Sequence, residues 1–230
     1  MNSREWERLK KNYQNLLEKI DKSCSLSGRK KEEIIVVAAT KSVPSYKIEM
    51  AVDLGVRIIG ENRVQETEGK ISQVRRECEW HMIGALQRNK VKKALKLFKM
   101  IQSVDSLKLA GEINKRTEKP FPVLIEVNTS FEETKHGFAP EDLLGNFEKL
   151  LSLKNLSIQG LFTLGPYPVE EVKTRKAFAL LRNLKEEIEH KYNINLTYLS
   201  MGMSEDFEYA ILEGANMIRI GRTLFGERKD

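Results

Sequence analysis

The feature that most constrains what this chain can fold into is an alternation repeated along its length. Eight short apolar runs, at residues 34–39, 56–59, 80–83, 100–104, 122–127, 158–164, 197–200 and 217–220, are separated by stretches with helical spacing. In those stretches Ile48, Ala51 and Val52 precede Gly55, Phe207, Ala210 and Ile211 precede Gly214, and a long helical pattern covers 169–190. Consecutive parallel strands need a crossover connection, which a helix supplies, so the pattern predicts a parallel sheet. Eight such units close on themselves. The expected fold is α/β, a single (β/α)8 TIM barrel filling residues 1–230 as one domain, with an extra N-terminal helix marked by Trp6, Leu9, Tyr13, Leu16, Leu17 and Ile20. The competing fold, an open doubly wound sheet, predicts a glycine-rich turn after the first strand. Thr40-Lys41-Ser42-Val43-Pro44 stands there instead.

Composition removes several classes of function. The longest purely apolar run, Ile34-Ile35-Val36-Val37-Ala38-Ala39, is far short of a bilayer crossing. The first residues lack the apolar stretch of a secretory signal, so the chain is expected to be cytoplasmic and free of membranes. Cys24 and Cys78 form no CxxC pair, which points to bystander thiols rather than a disulfide framework or a zinc ribbon. Basic residues outnumber acidic ones 39 to 33, giving a net charge of +6. That excess gathers in a predicted amphipathic helix over 88–99, where Arg88, Lys90, Lys92, Lys93, Lys96 and Lys99 oppose Val91, Leu95 and Phe98. No recognition motif accompanies these cations, so nucleic acid is not the expected partner.

A barrel of this kind carries its active site at the C-terminal ends of its strands. The residues falling there are Lys41, Gly60-Glu61-Asn62, His81 with Gly84, Ser103 with Asp105, Asn128, Thr163, Ser200-Met201-Gly202, and Arg219 with Gly221-Arg222-Thr223. Lys41 reads either as a surface lysine at a loop start or as an amine whose pKa is depressed by a neighbouring cation, ready to attack a carbonyl. Arg219 is a candidate for that cation. Strand alternation puts it on one face with Met217, and Ile218 and Ile220 on the other, although a frayed strand end would let it reach solvent. Gly221-Arg222-Thr223 after the eighth strand, with Ser200 and Gly202 after the seventh, matches the place where barrels cradle phosphate on unpaired backbone N–H groups. Ser204-Glu205-Asp206 reads as a helix N-cap with acids in the first turn. His81 either lines the mouth or is a hydrogen-bonded structural histidine. His81, His136 and His190 lack metal-ligand spacing, and no GxSxG, GxxxxGK[ST] or HExxH motif appears, so no metal is expected.

Together the motifs resemble those of a known family over residues 5–227. They are Val36-Val37-Ala38-Ala39-Thr40-Lys41, Gly60-Glu61-Asn62-Arg63-Val64-Gln65-Glu66, Trp80-His81-Met82-Ile83-Gly84-Ala85-Leu86-Gln87-Arg88-Asn89-Lys90, Glu126-Val127-Asn128 with Lys135-His136-Gly137, Ser200-Met201-Gly202-Met203-Ser204-Glu205-Asp206-Phe207, and Ile218-Arg219-Ile220-Gly221-Arg222-Thr223-Leu224-Phe225-Gly226. The chain is similar to the pyridoxal phosphate homeostasis proteins, whose barrel resembles the N-terminal domain of alanine racemase. The resemblance implies pyridoxal 5′-phosphate (PLP) as cofactor, held as a covalent aldimine on Lys41. It also implies Arg219 facing the pyridine nitrogen, Ser200, Gly221 and Thr223 on the phosphate, and Asn62, His81, Met201 and Gly202 completing the pocket. Two positions depart from the commonest pattern, Arg88 and Phe162. The first bears on the loop after the third strand, and the second is expected to change only packing behind the site.

An arginine facing the pyridine ring disfavours ring protonation and leaves the cofactor a weak electron sink. Only nine residues follow Gly221, so the second domain that gives alanine racemase its tyrosine base is expected to be absent. The expectation is therefore a PLP carrier with little or no turnover, serving PLP homeostasis and delivering the cofactor to apo PLP-dependent enzymes. It is expected to be a monomer because no exposed apolar stripe is left over once the barrel helices are assigned. Two alternatives stand beside it. One is a PLP-dependent amino-acid racemase, and the other a nucleic-acid or protein-binding barrel that uses the basic helix 88–99.

Overall fold

The structure is a computed structural model that describes residues 3–227. Eight parallel strands form a closed barrel in sequence order: β1 (Ile35–Ala39), β2 (Ile58–Glu61), β3 (Glu79–Met82), β4 (Met100–Val104), β5 (Phe121–Glu126), β6 (Leu156–Phe162), β7 (Tyr198–Ser200) and β8 (Met217–Ile220). β8 returns to β1 with Val37 opposite Arg219 and Ala38 opposite Ile220, which closes the cylinder. The helices are α1 (Ser3–Leu26), α2 (Ser45–Asp53), α3 (Val64–Ile71), α4 (Val91–Leu97), α5 (Leu107–Arg116), α6 (Pro140–Leu151), α7 (Glu171–Tyr192), α8 (Phe207–Leu212) and α9 (Arg222–Phe225). The TIM-barrel reading of the sequence holds, including the leading helix. Among the described residues, no helix is long and apolar enough to cross a membrane.

Period-two alternation divides the apolar side chains into two cores. Val37, Met100, Leu124, Phe162 and Met217 fill the lumen. Their strand neighbours, such as Ala38, Ile101, Ile125, Leu161 and Ile218, pack outward against the helices. α1 lies across α8 and α9 with Leu9, Leu16, Ile20 and Cys24 buried, and the Asn12 amide donates to the Leu224 carbonyl at 3.0 Å.

One element departs from its predicted extent. The basic segment 88–99 is not one helix but a 3-10 turn (Arg88–Lys90) followed by the seven-residue α4. Phe98 already has extended dihedrals, and the Lys99 amide donates to the Trp80 carbonyl at 2.8 Å. The demand of β4 for its place in the sheet ends the helix before the periodicity does.

Close packing of β6 on β7 leaves no room for a side chain at Gly160, where an added Cβ would come within 2.0 Å of the Tyr198 carbonyl oxygen. Gly160→Ala is expected to lower stability to urea by about 3 kcal/mol through overpacking. Gly145→Ala on α6, with nothing within 4 Å of the added Cβ, should be neutral or stabilising by about 0.5–1 kcal/mol. Equal unfolding midpoints for the two variants would refute this account.

Candidate functional site

The last strand sends Arg219 into the barrel, as its alternation with Ile218 and Ile220 predicts, and the residue is only 3% exposed. Its guanidinium donates to Ser200 Oγ at 2.8 Å and to the Thr163 carbonyl at 2.7 Å, and lies 4.1 Å from the ring centroid of Phe162. Phe162 therefore does more than pack behind the site, because its ring face stabilises the cation. Burial pushes the Arg219 pKa down to about 10, with the charges of Asp206 and Glu126 opposing, so the group stays charged at neutral pH.

Behind Arg219 the hydrogen bonds run in one direction. Ser200 Oγ donates to Gln102 Oε1 at 2.9 Å, and Gln102 Nε2 donates to His81 Nδ1 at 3.0 Å. That leaves the proton of a neutral His81 on Nε2, which faces Glu79 Oε2 at 3.4 Å. Burial lowers the His81 pKa and favours this neutral form. Two residues that the family resemblance puts on the cofactor thus have their side-chain polar atoms engaged by neighbours in the lumen. Ser200 commits its hydroxyl to Arg219 and Gln102, and His81 is 2% exposed within the lumen chain.

The loop after β7 brings a different serine to the amides that follow β8. Gly202, at φ 93°, makes a turn in which an added Cβ would lie 2.6 Å from Ala210 Cβ, and its carbonyl accepts the Arg219 amide at 2.9 Å. Met201 packs its side chain in the outer core, so only its backbone faces the strand ends. Ser204 then reaches across the mouth. Its Oγ accepts the amides of Gly221 at 3.3 Å and Thr223 at 3.2 Å, while its carbonyl accepts Thr223 Oγ1 at 3.3 Å. Ser204 is not the helix cap that the sequence suggests; Asp206 occupies that position and accepts the Met203 amide at 2.5 Å.

Lys41 is half-buried and its side chain makes no hydrogen bond or ion pair among the described residues. It borders a cavity of about 240 Å³ shared with Ala39 and Gly221, and another of about 720 Å³ shared with Asn62 and His136. A third cavity, of about 480 Å³, joins Ala39 and Gly221 to Arg219 and Ser204. Tyr167 and Met203, exposed in loops, form its outer wall. The structure thus brings Lys41, Asn62, Arg219 and Gly221 to one mouth, with Thr223 in the cradle beside it.

Sequence reasoning passes over Gln102, and it names Ser204, Asp206 and Glu126 without giving them a part in the site. Glu126 follows Leu124 by two on the lumen side of β5, a period-two signal that was available. Burial pushes its carboxyl up to about 7, with the charge of Asp105 adding and that of Arg219 opposing. The folded chain therefore keeps a proton that the unfolded chain loses above about 4.5, so this stabilising contribution is full below 4.5 and lost as pH rises through about 7. Glu126→Gln should remove about 3 kcal/mol of pH dependence from the urea-unfolding free energy across that window. Parallel pH profiles for variant and parent would contradict this.

Fold and mouth together define a barrel of the alanine racemase N-terminal class, and the family model described as "Alanine racemase, N-terminal domain" matches residues 7–229. A pyridoxal phosphate homeostasis protein of Aquifex aeolicus (strain VF5) is 45% identical over 218 residues, covering 93% of this chain and 96% of the relative. The human protein of the same name is 38% identical over 210 residues, covering 84% of this chain and 76% of the relative. The chain belongs to the family of pyridoxal phosphate homeostasis proteins. PipY of Synechococcus elongatus PCC7942, solved with PLP bound, superposes with a TM-score of 0.79 at 32% identity over 90% of this chain and 100% of that one. Alanine racemase of Clostridium difficile 630 shares the fold alone, with a TM-score of 0.74 and 17% identity over 96% of this chain and 58% of the racemase.

Proposed function

We propose that the barrel mouth holds PLP, with Lys41 as the residue that binds it covalently, and that the protein stores and hands on the cofactor in the cytoplasm as a monomer. The observation that carries the reading is an unpaired amine, Lys41, at the same mouth as a buried cation and a two-amide cradle. The donor set fits the cofactor. The amides of Gly221 and Thr223 already converge on an oxygen, Ser204 Oγ, and an anionic oxygen is a stronger acceptor for the same pair. PLP bound there supplies an aldehyde carbon that condenses with a primary amine as a Schiff base and can pass to another amine.

The residues divide the remaining work. Gly221 and Thr223 bind the phosphate, and Ser204 turns its hydroxyl to donate to it. Arg219, fixed through Ser200 and Thr163, presents a permanent positive charge to the ring nitrogen and keeps that nitrogen unprotonated. Asn62 orients the ring edge from the Lys41 side, while His81, Gly202 and Met201 hold the wall behind. A ring kept neutral in this way withdraws electrons poorly, which favours storage of the cofactor for apo-enzymes over turnover of an amino acid.

Purified protein mixed with PLP should turn yellow, and borohydride should fix the cofactor on the Lys41 peptide in mass spectra; Lys41→Ala should do neither. A cofactor fixed mainly on another lysine would sink the assignment. The cradle makes a separate prediction. Pyridoxal, which lacks the phosphate, should bind about a hundredfold more weakly or worse, since each charge-assisted hydrogen bond contributes about 1.5–3 kcal/mol.

A further inference from the structure

The Gly60–Glu66 motif contributes more to the mouth than Asn62. Gly60 turns to the lumen, where an added Cβ would meet Val37 and Ile83, so Glu61 faces outward toward α3. There its carboxylate is fully buried, and Lys70, one helical turn beyond Glu66, comes down onto it. Lys70 Nζ donates to Glu61 Oε1 at 2.6 Å, to the Thr40 carbonyl at 2.6 Å and to Glu66 Oε1 at 2.8 Å. Thr40 Oγ1 donates to the same Glu61 oxygen at 2.5 Å, and the Ser42 amide donates to Glu66 Oε1 at 2.7 Å.

These bonds bracket one residue. The Thr40 carbonyl belongs to the peptide plane before Lys41, and the Ser42 amide to the plane after it. With both planes held, the two backbone dihedrals of Lys41 are set, and with them the direction in which its side chain leaves the chain. The turn needs such restraint. The Val43 amide closes it on the Thr40 carbonyl at 2.9 Å, and Ser42 sits at φ 61°, a left-handed position that glycine usually fills. Stability alone is a weak reason for the cluster, because desolvating Lys70 and Glu61 offsets much of their attraction and Glu61 Oε2 is left with no partner. Lys70 Nζ meets three acceptor oxygens, whereas the Lys41 amine meets none among the described residues.

We propose that Lys70, acting with Glu61 and Glu66, is a positioning group that aims the Lys41 amine into the mouth. This rests on Lys41 being the amine that takes up the cofactor aldehyde. In that step the amine nitrogen adds to the aldehyde carbon, its two protons leave with the carbonyl oxygen as water, and nothing is oxidised or reduced. The cluster acts before the step, by limiting where the nitrogen can stand.

The test compares Lys70→Met, Glu66→Ala and Glu66→Gln with the parent, each first shown folded by circular dichroism. Glu66 is partly exposed, so Glu66→Ala decides the matter should Lys70→Met fail to fold. On protein without cofactor, hydrogen exchange of the Ser42 amide should be at least tenfold faster in Glu66→Ala, and restored in Glu66→Gln, which keeps an acceptor oxygen. With PLP added, Lys70→Met and Glu66→Ala should link it to Lys41 at least tenfold more slowly by borohydride trapping. Their affinity for inorganic phosphate should stay within about twofold of the parent, and Glu66→Gln should recover the parent's linking rate. Folded Glu66→Ala that links at the parent's rate overturns the proposal, as does an equal loss of phosphate affinity, which would mark a general structural role. A parent that links no cofactor to Lys41 removes the cofactor reading and this proposal together, whereas a linking parent with unaltered variants removes the proposal alone.

Discussion

A guanidinium inside a closed barrel is the constraint around which the mouth is organised. Burying an isolated cation costs far more than any single hydrogen bond returns, so the lumen around Arg219 has to be polar, ordered and complete. It is completed by a hydroxyl, a backbone carbonyl and an aromatic face, and the hydroxyl is held in turn by the Gln102 amide. Ser200 Oγ and Gln102 Nε2 each donate to a single buried acceptor, so removing Gln102 or His81 leaves a buried donor unsatisfied. Below this layer the lumen is apolar, with Val37, Met100, Leu124, Phe162 and Met217 as its floor.

The mouth separates two tasks on rigid strand ends. On the β7–β8 side the backbone amides of Gly221 and Thr223 converge on the Ser204 hydroxyl oxygen. On the β1–β2 side the Lys41 amine has no partner among the described residues, while a buried ion cluster holds the peptide groups around it. Arg219 and Glu126 lie on the lumen face between them. Ala39, Lys41 and Gly221 all line the 240 Å³ cavity, which meets the 720 Å³ cavity at Lys41 and the 480 Å³ cavity at Ala39 and Gly221. Phe131 and Tyr167 are exposed in the loops after β5 and β6, while Leu26 on α1 and Val172 on α7 are exposed on helices.

How far the sequence is legible depends on the range of the interaction. The inward aim of Arg219 follows from its spacing to Met217, and the eight strands lie within a few residues of their apolar runs. The basic segment reads as one helix over 88–99 because helical spacing persists past the point where the Lys99 amide joins the sheet. Ser200 and Ser204 are indistinguishable by type. The first faces the lumen at the end of β7 and is taken by Gln102, 98 residues away, while the second stands beside the Gly221 amide. Glu61 and Glu66 are visible in their motif, yet nothing local says that Lys70 joins them to the backbone of Thr40 and Ser42.

By itself, then, the sequence determined the barrel, the strand ends at which chemistry gathers, and the face on which each strand residue lies, since these follow from periods of two and 3.6 written in adjacent residues. Only the tertiary structure decided which hydroxyl serves the cation and which the cradle, that Gln102 and His81 extend the line behind Arg219, and that Lys70 holds the turn around Lys41. Those choices depend on distances of a few ångströms between groups far apart in the chain, and no local pattern encodes such a distance until the cylinder has closed.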